Sequence, residues 1–527
     1  MQPRCAVAGA CDAMTSRPAA KRGMSIINDA NIAHTLWEAA DQAGERPAVI
    51  ERGHILTYRE LRARAAAVAR QLVSLGTHPG DRIAILIERG VSAIAAYFGV
   101  LATGGIAVII HERLRPRQIE HLLAQSGAAV LLSTDVMLRS QPRPIESNTR
   151  IVAVETGHRR SDRAPFLRIA SDHAQIIFTS GSTGLAKGVT FTHDNLRRGA
   201  ETVVSYLGLS DDDRIASLLP LSSVYGLNQL LCAVTSRATL VVERSTLAAR
   251  VASTLREQAV TVLAAVPPLW LQLMRTPAFT NAPLPALRIA QNAGGHLPVS
   301  TVQLLRRTQP EARLFLQYGL TETFRSTFLS PDEVDRHPDS IGRAVPGAEI
   351  LVLRDDSTPC DAGEVGQLVH RGPTVAAGYW NDAEATERIF RPNPLRPAEA
   401  PSTERVVFSG DLVRRDAAGL LYFVGRGDRM IKTLGHRVAP DEVADVLLES
   451  GEVLEAVVAG EADALRGERV VAYVRLAPAG SLAKLEGFCR QELPRHMQPC
   501  RYEVRTCLPR LGGGKYDLGA LQDATSA

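Results

Sequence analysis

The segment Phe178-Thr-Ser-Gly-Ser-Thr-Gly-Leu-Ala-Lys-Gly-Val189 concentrates the residue types that hold a phosphate. Gly181, Gly184 and Gly188 let backbone N–H groups come close to an anion. Thr179, Ser180, Ser182 and Thr183 add hydroxyl donors, and Lys187 supplies a point charge. The spacing is not that of a Walker A loop, G-x-x-x-x-G-K-[ST]. Counted from Gly181, Ala186 stands at the second glycine position, and Gly188 follows Lys187. By itself the segment indicates phosphate binding.

A loop of this kind needs rigid elements to hold it. Gln175–Phe178 is a short apolar strand that leads directly into it. Leu61–Leu75 has apolar residues at helical spacing, with Gly76 just past its end. Asp81–Ile87 reads as a buried strand, Val91–Leu101 as a helix, Ala107–Ile110 as a strand, Arg117–Gln125 as a helix and Ala129–Ser133 as a strand. The same texture recurs in strands at Arg214–Leu218, Thr239–Val242, Val262–Ala265 and Ala286–Ala290. Alternating strands and helices imply parallel sheets covered on both faces. From about Ile350 the segments become short and β-rich, as in Ile350–Leu353, Gly366–His370 and Leu420–Val424. Arg391–Thr403 reads as an exposed loop. From Asp428 onward about 100 residues have a pattern of their own, the size of a small α+β domain. Within it, Pro440–Ser450 and Leu482–Glu492 read as helices, and Val453–Ala459 and Arg469–Leu476 as strands. The expected division is 1–23 as a disordered extension, with Met24 as an alternative start, 24–427 as a large α/β domain with a β-rich subdomain, and 428–527 as a small domain on a hinge.

Composition agrees with a globular chain of two to four units: 527 residues, 45% hydrophobic and 22% charged. The net charge of +4 gives no whole-chain case for nucleic acid or membrane surfaces. Cys5, Cys11, Cys232, Cys360, Cys489, Cys500 and Cys507 show no C-x-x-C spacing, so neither a zinc ribbon nor a redox dithiol is indicated. Such a sparse, odd set fits a reducing, cytoplasmic compartment. Val91–Ile110 carries no charge over the length of a membrane span, but Thr103-Gly104-Gly105 breaks it into a helix and a strand, so a buried α/β core is expected instead.

Taken whole, Thr179–Gly188 resembles the T-S-G-S/T-T-G-x-P-K-G signature of the adenylate-forming superfamily, which holds acyl-CoA synthetases, luciferases and peptide-synthetase adenylation domains. Ala186 replaces the usual Pro. Gln317-Tyr-Gly-Leu-Thr-Glu322 is similar to that family's Y-G-x-T-E. The resemblance implies that Tyr318 stacks on adenine, Thr321 contacts the α-phosphate and Glu322 holds Mg²⁺. Phe408-Ser-Gly-Asp411 resembles [ST]-G-D, which makes Asp411 the acceptor of the ribose hydroxyls. Gly425–Glu442 resembles G-R-x-D-x-x-I-K-x-x-G-x-R-[VI]-x-P-x-E. There Arg426 contacts ribose or phosphate, Asp428 is the hinge and Gly435 lines the thiol tunnel. Leu508–Asp517 resembles the closing L-P-x-T-x-x-G-K segment and implies that Lys515 is the catalytic lysine, with Leu511 in place of Thr and Tyr516 after the Lys. Gln291–Pro298, with Gly294 and Gly295, resembles the adenine-pocket segment, and Leu219–Gly226 resembles P-L-[FY]-H-x-x-G. Ser223 stands where a gating His is usual, Tyr225 lies beside it, and His296 fills a position usually held by a small residue. These three are the acyl-pocket candidates.

The resemblance runs from about Ile32 to Leu518. A narrower one, to the acyl-CoA ligase subgroup associated with exosortase and exopolysaccharide gene clusters, rests on Tyr318–Thr327, Pro331–Ile341 and Val266–Gln272. The implied reaction joins a small carboxylic acid to AMP with loss of pyrophosphate, then to the thiol of coenzyme A. The implied cofactors are ATP and Mg²⁺. A carrier-protein pantetheine is the alternative acceptor, with an acyl or aminoacyl donor, although Ser222, Ser223 and Val224 offer no acid for a substrate ammonium. A non-catalytic nucleotide-binding homologue is the further alternative. Neither a nucleic-acid partner nor a membrane span is expected.

Overall fold

The computed structural model describes residues 30–154, 164–180, 186–281, 283–397, 399, 403–427, 429–433, 436–463, 467–493, 495–511 and 515–523. The expected extension 1–23, Asp428, Gly435 and the loop residues Gly181, Ser182, Thr183 and Gly184 lie outside them, as does the side chain of Ser180.

Among the described residues the strands form three sheets, of 14, seven and five strands. In the seven-stranded sheet, His173–Ser180, Ile106–Ile109, Arg82–Leu86, Val130–Ser133 and Arg150–Ala153 run parallel. The hairpin partner Ala186–Thr192 and then Gly378–Tyr379 extend it antiparallel. The largest sheet has a parallel core ordered Arg313–Tyr318, Ile289–Asn292, Val262–Ala265, Arg214–Ser217, Thr239–Val242 and Pro47–Glu51.

Side chains on these parallel strands divide by alternation. Ile83, Ile85, Ala107, Ile109, Val130 and Leu132 join one core, while Ala84, Leu86, Val108 and Leu131 join another on the opposite face. In the second sheet Ile215, Leu240 and Ile289 face that same first core, and Val241, Leu263 and Ala290 face outward onto a third. The period of two along a strand thus places one apolar helical layer between the sheets and a further layer outside each. Tyr58–Ser74, Val91–Ala102, His193–Leu207 and Val224–Ser236 supply the central layer. Ala93 to Ala102 are all buried, which accounts for the uncharged run. No helix among the described residues is long and apolar enough to cross a membrane. Thr57 and Thr192 start two of these helices with capping boxes, each hydroxyl accepting from the backbone N–H three residues on.

The antiparallel part begins earlier than the change of texture suggests. Thr327–Leu329 already pairs antiparallel with Arg313–Tyr318, and Ser340–Ala344 pairs with it in turn. Leu421–Arg426, Arg405–Arg415, Val365–Arg371 and Glu349–Leu353 continue the sheet. Phe390–Pro392 makes the start of the expected loop a strand on Arg405–Arg415.

The last sheet, Ile431–Thr433, His436–Val438, Val453–Asp463, Gly467–Leu476 and Arg501–Val504, carries the small C-terminal domain. Helices Pro440–Glu449 and Leu482–Glu492 pack on it over a core of Val443, Leu447, Leu485 and Cys489. Its other face holds a second cluster with Leu508 and Leu521.

One helix–loop contact governs how the central layer supports the loop after Tyr318. Phe324 is 1% exposed, meets Phe191 edge-on at 6.0 Å and lies flat against Gly199, where a Cβ would overlap its ring. Gly199→Val should therefore lower stability by about 3 kcal/mol, well above the ~0.4 kcal/mol gained in helix propensity. Thermal unfolding checks this, and an unchanged melting temperature would mean that Phe324 is not held there.

Candidate active site

The parallel strand Arg313–Tyr318 ends at the large sheet's edge, and its last residue points at a buried carboxylate. Tyr318 donates its hydroxyl hydrogen to Asp411 Oδ2. Burial, then the Asp411 charge, pushes the Tyr318 phenol well above its ordinary pKa, so it stays a donor. Asp411 and Arg426 are direct cross-strand partners, and their Oδ1 and Nη1 atoms lie 3.0 Å apart. Ser409 Oγ accepts from the Asp411 N–H at 3.0 Å, and Gly410 takes the left-handed conformation (φ +74°) that turns this short stretch. Tyr318, Asp411 and Arg426, three of the expected nucleotide residues, thus form one hydrogen-bonded unit.

Beyond Tyr318 the chain makes one turn of 3₁₀ helix, Thr321–Thr323, which presents Thr321 and Glu322. Tyr379 donates to Glu322 Oε1 at 2.6 Å, and the Glu322 carbonyl accepts from Ala376 N–H at 2.9 Å. Lys187 lies over the ring of the same tyrosine, its Nζ 5.3 Å from the ring centre. Tyr379 therefore couples the glycine-hydroxyl loop to the Thr321–Glu322 turn. The loop's ends are pinned, because Thr179 pairs with Lys187 and Ser180 with Ala186 across the hairpin. Tyr379 comes from a two-residue strand on the outer side of that hairpin, paired with Val189. Nothing in its own spacing marks it, so sequence reasoning missed it.

On the neighbouring strand end, Gly294 has φ +80° and Asn292 Nδ2 donates to the Gly295 carbonyl at 3.1 Å. Asn292 is buried, yet its Oδ1 has no hydrogen-bond partner. A buried acceptor left open beside Tyr318's strand suits an amino group such as that of a nucleobase. Ser223 caps the helix Val224–Ser236, accepting from Gly226 N–H at 3.1 Å and donating to the Pro220 carbonyl at 2.8 Å. Tyr225 is buried, and its hydroxyl donates to the Gln291 carbonyl at 3.2 Å. His296 Nε2 lies 3.3 Å from Asp445 on the C-terminal domain's helix Pro440–Glu449. Its visible partner is thus across the domain contact. Burial lifts the Asp445 carboxyl to about 6, with His296 pulling the other way.

Lys515 closes the constellation from the C-terminal domain. Its carbonyl accepts from Leu511 N–H at 2.8 Å, and Arg510 pairs with Tyr516 across the same turn. Arg510 stacks over the Tyr516 ring at 3.9 Å, and Glu455 accepts from both. Tyr516, unexpected at its position, thus anchors the segment. Loss of surrounding water lowers the Lys515 pKa, Arg429 and Arg426 lower it further, and Asp411 and Glu322 oppose. Its ammonium is therefore within electrostatic reach of both halves of the site.

Glu322 offers one hard oxygen site, and among the described residues no group of three or more His, Cys, Asp or Glu side chains could cage a metal. A lone carboxylate fits Mg²⁺, which keeps most of its waters and binds substrate phosphates.

The AMP-binding enzyme model matches residues 36–380, and the AMP-binding enzyme C-terminal domain model matches 442–515. The long-chain-fatty-acid–CoA ligase of Salmonella typhimurium is 28% identical over 535 residues, covering 92% of this chain and 93% of its own. Novobiocin biosynthesis protein H of Streptomyces niveus is 31% identical over 512 residues, with 93% and 82% covered. The structure of o-succinylbenzoate coenzyme A synthetase from Bacillus subtilis, in complex with ATP and magnesium ion, superposes with a TM-score of 0.83 at 27% identity, covering 93% of this chain and 99% of its own. The chain therefore belongs to the AMP-binding enzyme family, as an AMP-forming ligase of the acyl-CoA synthetase type.

Proposed function

We propose that this protein activates a small carboxylic acid with ATP and passes the acyl group to the thiol of coenzyme A. The observation that carries the reading is the Tyr318–Asp411–Arg426 unit beside the Tyr379–Glu322 contact, with both carboxylates acting on the Lys515 ammonium.

A carboxylate is a poor acyl donor because its charge is delocalised and its leaving group would be oxide. In the first step a carboxylate oxygen attacks the α-phosphorus and the bond to pyrophosphate breaks. Charge builds on the α-phosphate oxygens, where the Lys515 ammonium and the Thr321 hydroxyl stabilise it. Glu322 would hold Mg²⁺, which neutralises phosphate charge in its usual way. Thr179, Ser180, Gly181, Ser182, Thr183, Gly184 and Lys187 hold the departing pyrophosphate. Tyr318, Gly294 and Gly295 form the adenine slot, and Asp411 with Arg426 holds the ribose. In the second step a thiolate attacks the acyl carbon and AMP leaves with the bonding electrons.

The reading includes a domain motion. The boundary lies at 427/428, with Asp428 as the hinge, and rotation removes Lys515 and brings the Gly435 segment to line the thiol tunnel. A carrier-protein pantetheine would present the same thiol.

Lys515→Ala should lower acid-dependent pyrophosphate release, measured without thiol, by about 10²-fold or more. The same variant should still form thioester from a supplied acyl adenylate. Equal loss of both half-reactions would sink the two-state assignment. If no acid in a broad panel elicits pyrophosphate from the unaltered protein, the adenylation reading itself falls.

Tyr379→Phe keeps the ring beneath Lys187 but leaves Glu322 one donor short. A hydrogen bond to a charged group contributes about 1.5–3 kcal/mol, so adenylation should slow by roughly 10- to 100-fold. The half-saturating Mg²⁺ concentration should rise with it. A slower rate at an unchanged Mg²⁺ requirement would show that Tyr379 does not act through Glu322.

A further inference from the structure

Arg325 has no place in the chemistry above, yet it is a charged residue with only 4% of its surface exposed. An arginine cannot escape burial by losing its proton, so a buried guanidinium needs a counter-charge or a dense set of acceptors. Here Nη2 donates to Asn228 Oδ1 at a long 3.4 Å, the guanidinium carbon lies 4.7 Å from the Tyr225 ring centre, and Nε has no partner. The Tyr206 hydroxyl also lies within hydrogen-bonding reach of the guanidinium, and among the described residues no ion pair joins Arg325 to a carboxylate.

The surrounding polar atoms are unfinished in the same sense. Asn228 Nδ2 and Gln291 Nε2 are buried donors without acceptors. Gln317 Nε2 is spent on Tyr206 Oη at 2.8 Å and Gln291 Oε1 at 3.2 Å, while its Oε1 is a buried acceptor without a donor. Three unmet donors, one of them on a cation, lie among side chains joined by direct contacts. Leaving them so costs stability that a bound anion would return.

The backbone is bent to put Arg325 there. Its N–H donates to the Thr323 carbonyl at 2.6 Å across Phe324, which takes φ 61° and ψ −53°. This is a γ-turn of the strained hand, rare outside functional loops. The turn sends Thr321 and Glu322 one way and Arg325 the other, toward Tyr225 behind the Val224–Ser236 helix start. The Arg325 backbone packs against Gly319, where a Cβ would lie 3.1 Å from its Cα, so the start of the side chain is set directly beside the residue that follows Tyr318.

We infer that Arg325, with Asn228 and Gln291, forms an anion hole at the inner end of the acyl pocket, and that the acid substrate carries a second carboxylate that fills it. The inference rests on the adenylation reading above and names its substrate class.

The test is pyrophosphate release with straight-chain monocarboxylic acids against dicarboxylic acids of matching length, for the unaltered protein and for Arg325→Met, with melting temperatures taken with and without acid. The unaltered protein should favour dicarboxylic acids in kcat/KM by about 30-fold or more, and the ratio should collapse toward one in Arg325→Met. Without ligand, Arg325→Met should melt no lower than the parent, since it removes an unpaired buried charge. Equal use of both acid classes, a preference for neutral polar acids, or a ratio unchanged in Arg325→Met would overturn the anion hole. A ligand-free melting temperature several degrees lower in Arg325→Met would make the residue a structural tie instead. Absence of pyrophosphate release with every acid would refute adenylation. The site would then be decided by melting alone: a rise with dicarboxylic acid that requires Arg325 supports it, and no rise rejects it.

Discussion

One buried carboxylate ties the site to the fold. Asp411 is 3% exposed and is shared by the Tyr318 hydroxyl and the Arg426 guanidinium. Tyr318 ends a parallel strand of the α/β core, whereas Asp411 and Arg426 belong to the antiparallel extension. Burying such a group costs several kcal/mol unless its oxygens are well matched, so the two halves of the sheet are constrained to one relative placement. The same constraint fixes where the chain departs for its C-terminal domain, because Arg426 is among the last residues of the large sheet. Gly427 N–H donates to the Gly410 carbonyl at 2.8 Å, which clamps the exit beside the carboxylate.

Much of the α/β part was legible in the sequence because buried parallel strands have few ways to be written. Arg82–Leu86, Val91–Ala102, Ile106–Ile109 and Val130–Ser133 fall within a residue or two of the expected elements. The antiparallel strands at Thr327–Leu329 and Ser340–Ala344 were not expected, since three to five residues with mixed burial carry too little periodicity. Phe390–Pro392 was missed for a related reason: Pro and Arg read as loop, yet an edge strand tolerates both.

The site was legible where chemistry is local and hidden where it depends on long-range contact. Glycines, hydroxyls and a lysine within twelve residues stand out as a candidate phosphate loop whatever surrounds them, and the pairing of Thr179 with Lys187 brings its ends together. Tyr379 reaches Glu322 across 57 residues, and His296 meets Asp445 across a domain contact. No spacing rule encodes either meeting. Ser223 shows the opposite limit. Its place in a family motif suggested a pocket wall, while its hydroxyl is occupied in capping the helix that carries Tyr225. Capping still matters to the pocket, because that helix start sets where the Tyr225 ring and Asn228 stand.

The loop from Tyr318 to Ser326 shows how one short segment can serve two chemistries. A regular strand would put Thr321 and Arg325 on one face, and a helix would stack them one turn apart. The γ-turn at Phe324 breaks that periodicity, and the strain is held by packing rather than by hydrogen bonds alone. Phe324 is wedged between Phe191 of the Ala186–Thr192 strand and Gly199 of the central helical layer. Ser326 N–H returns to the Tyr318 carbonyl at 3.1 Å and closes the loop at its base. The helix that lacks a side chain at Gly199, the hairpin that carries Phe191 and the strand that ends in Tyr318 therefore set the loop's shape together. A change in any of them would be felt on both faces of the loop.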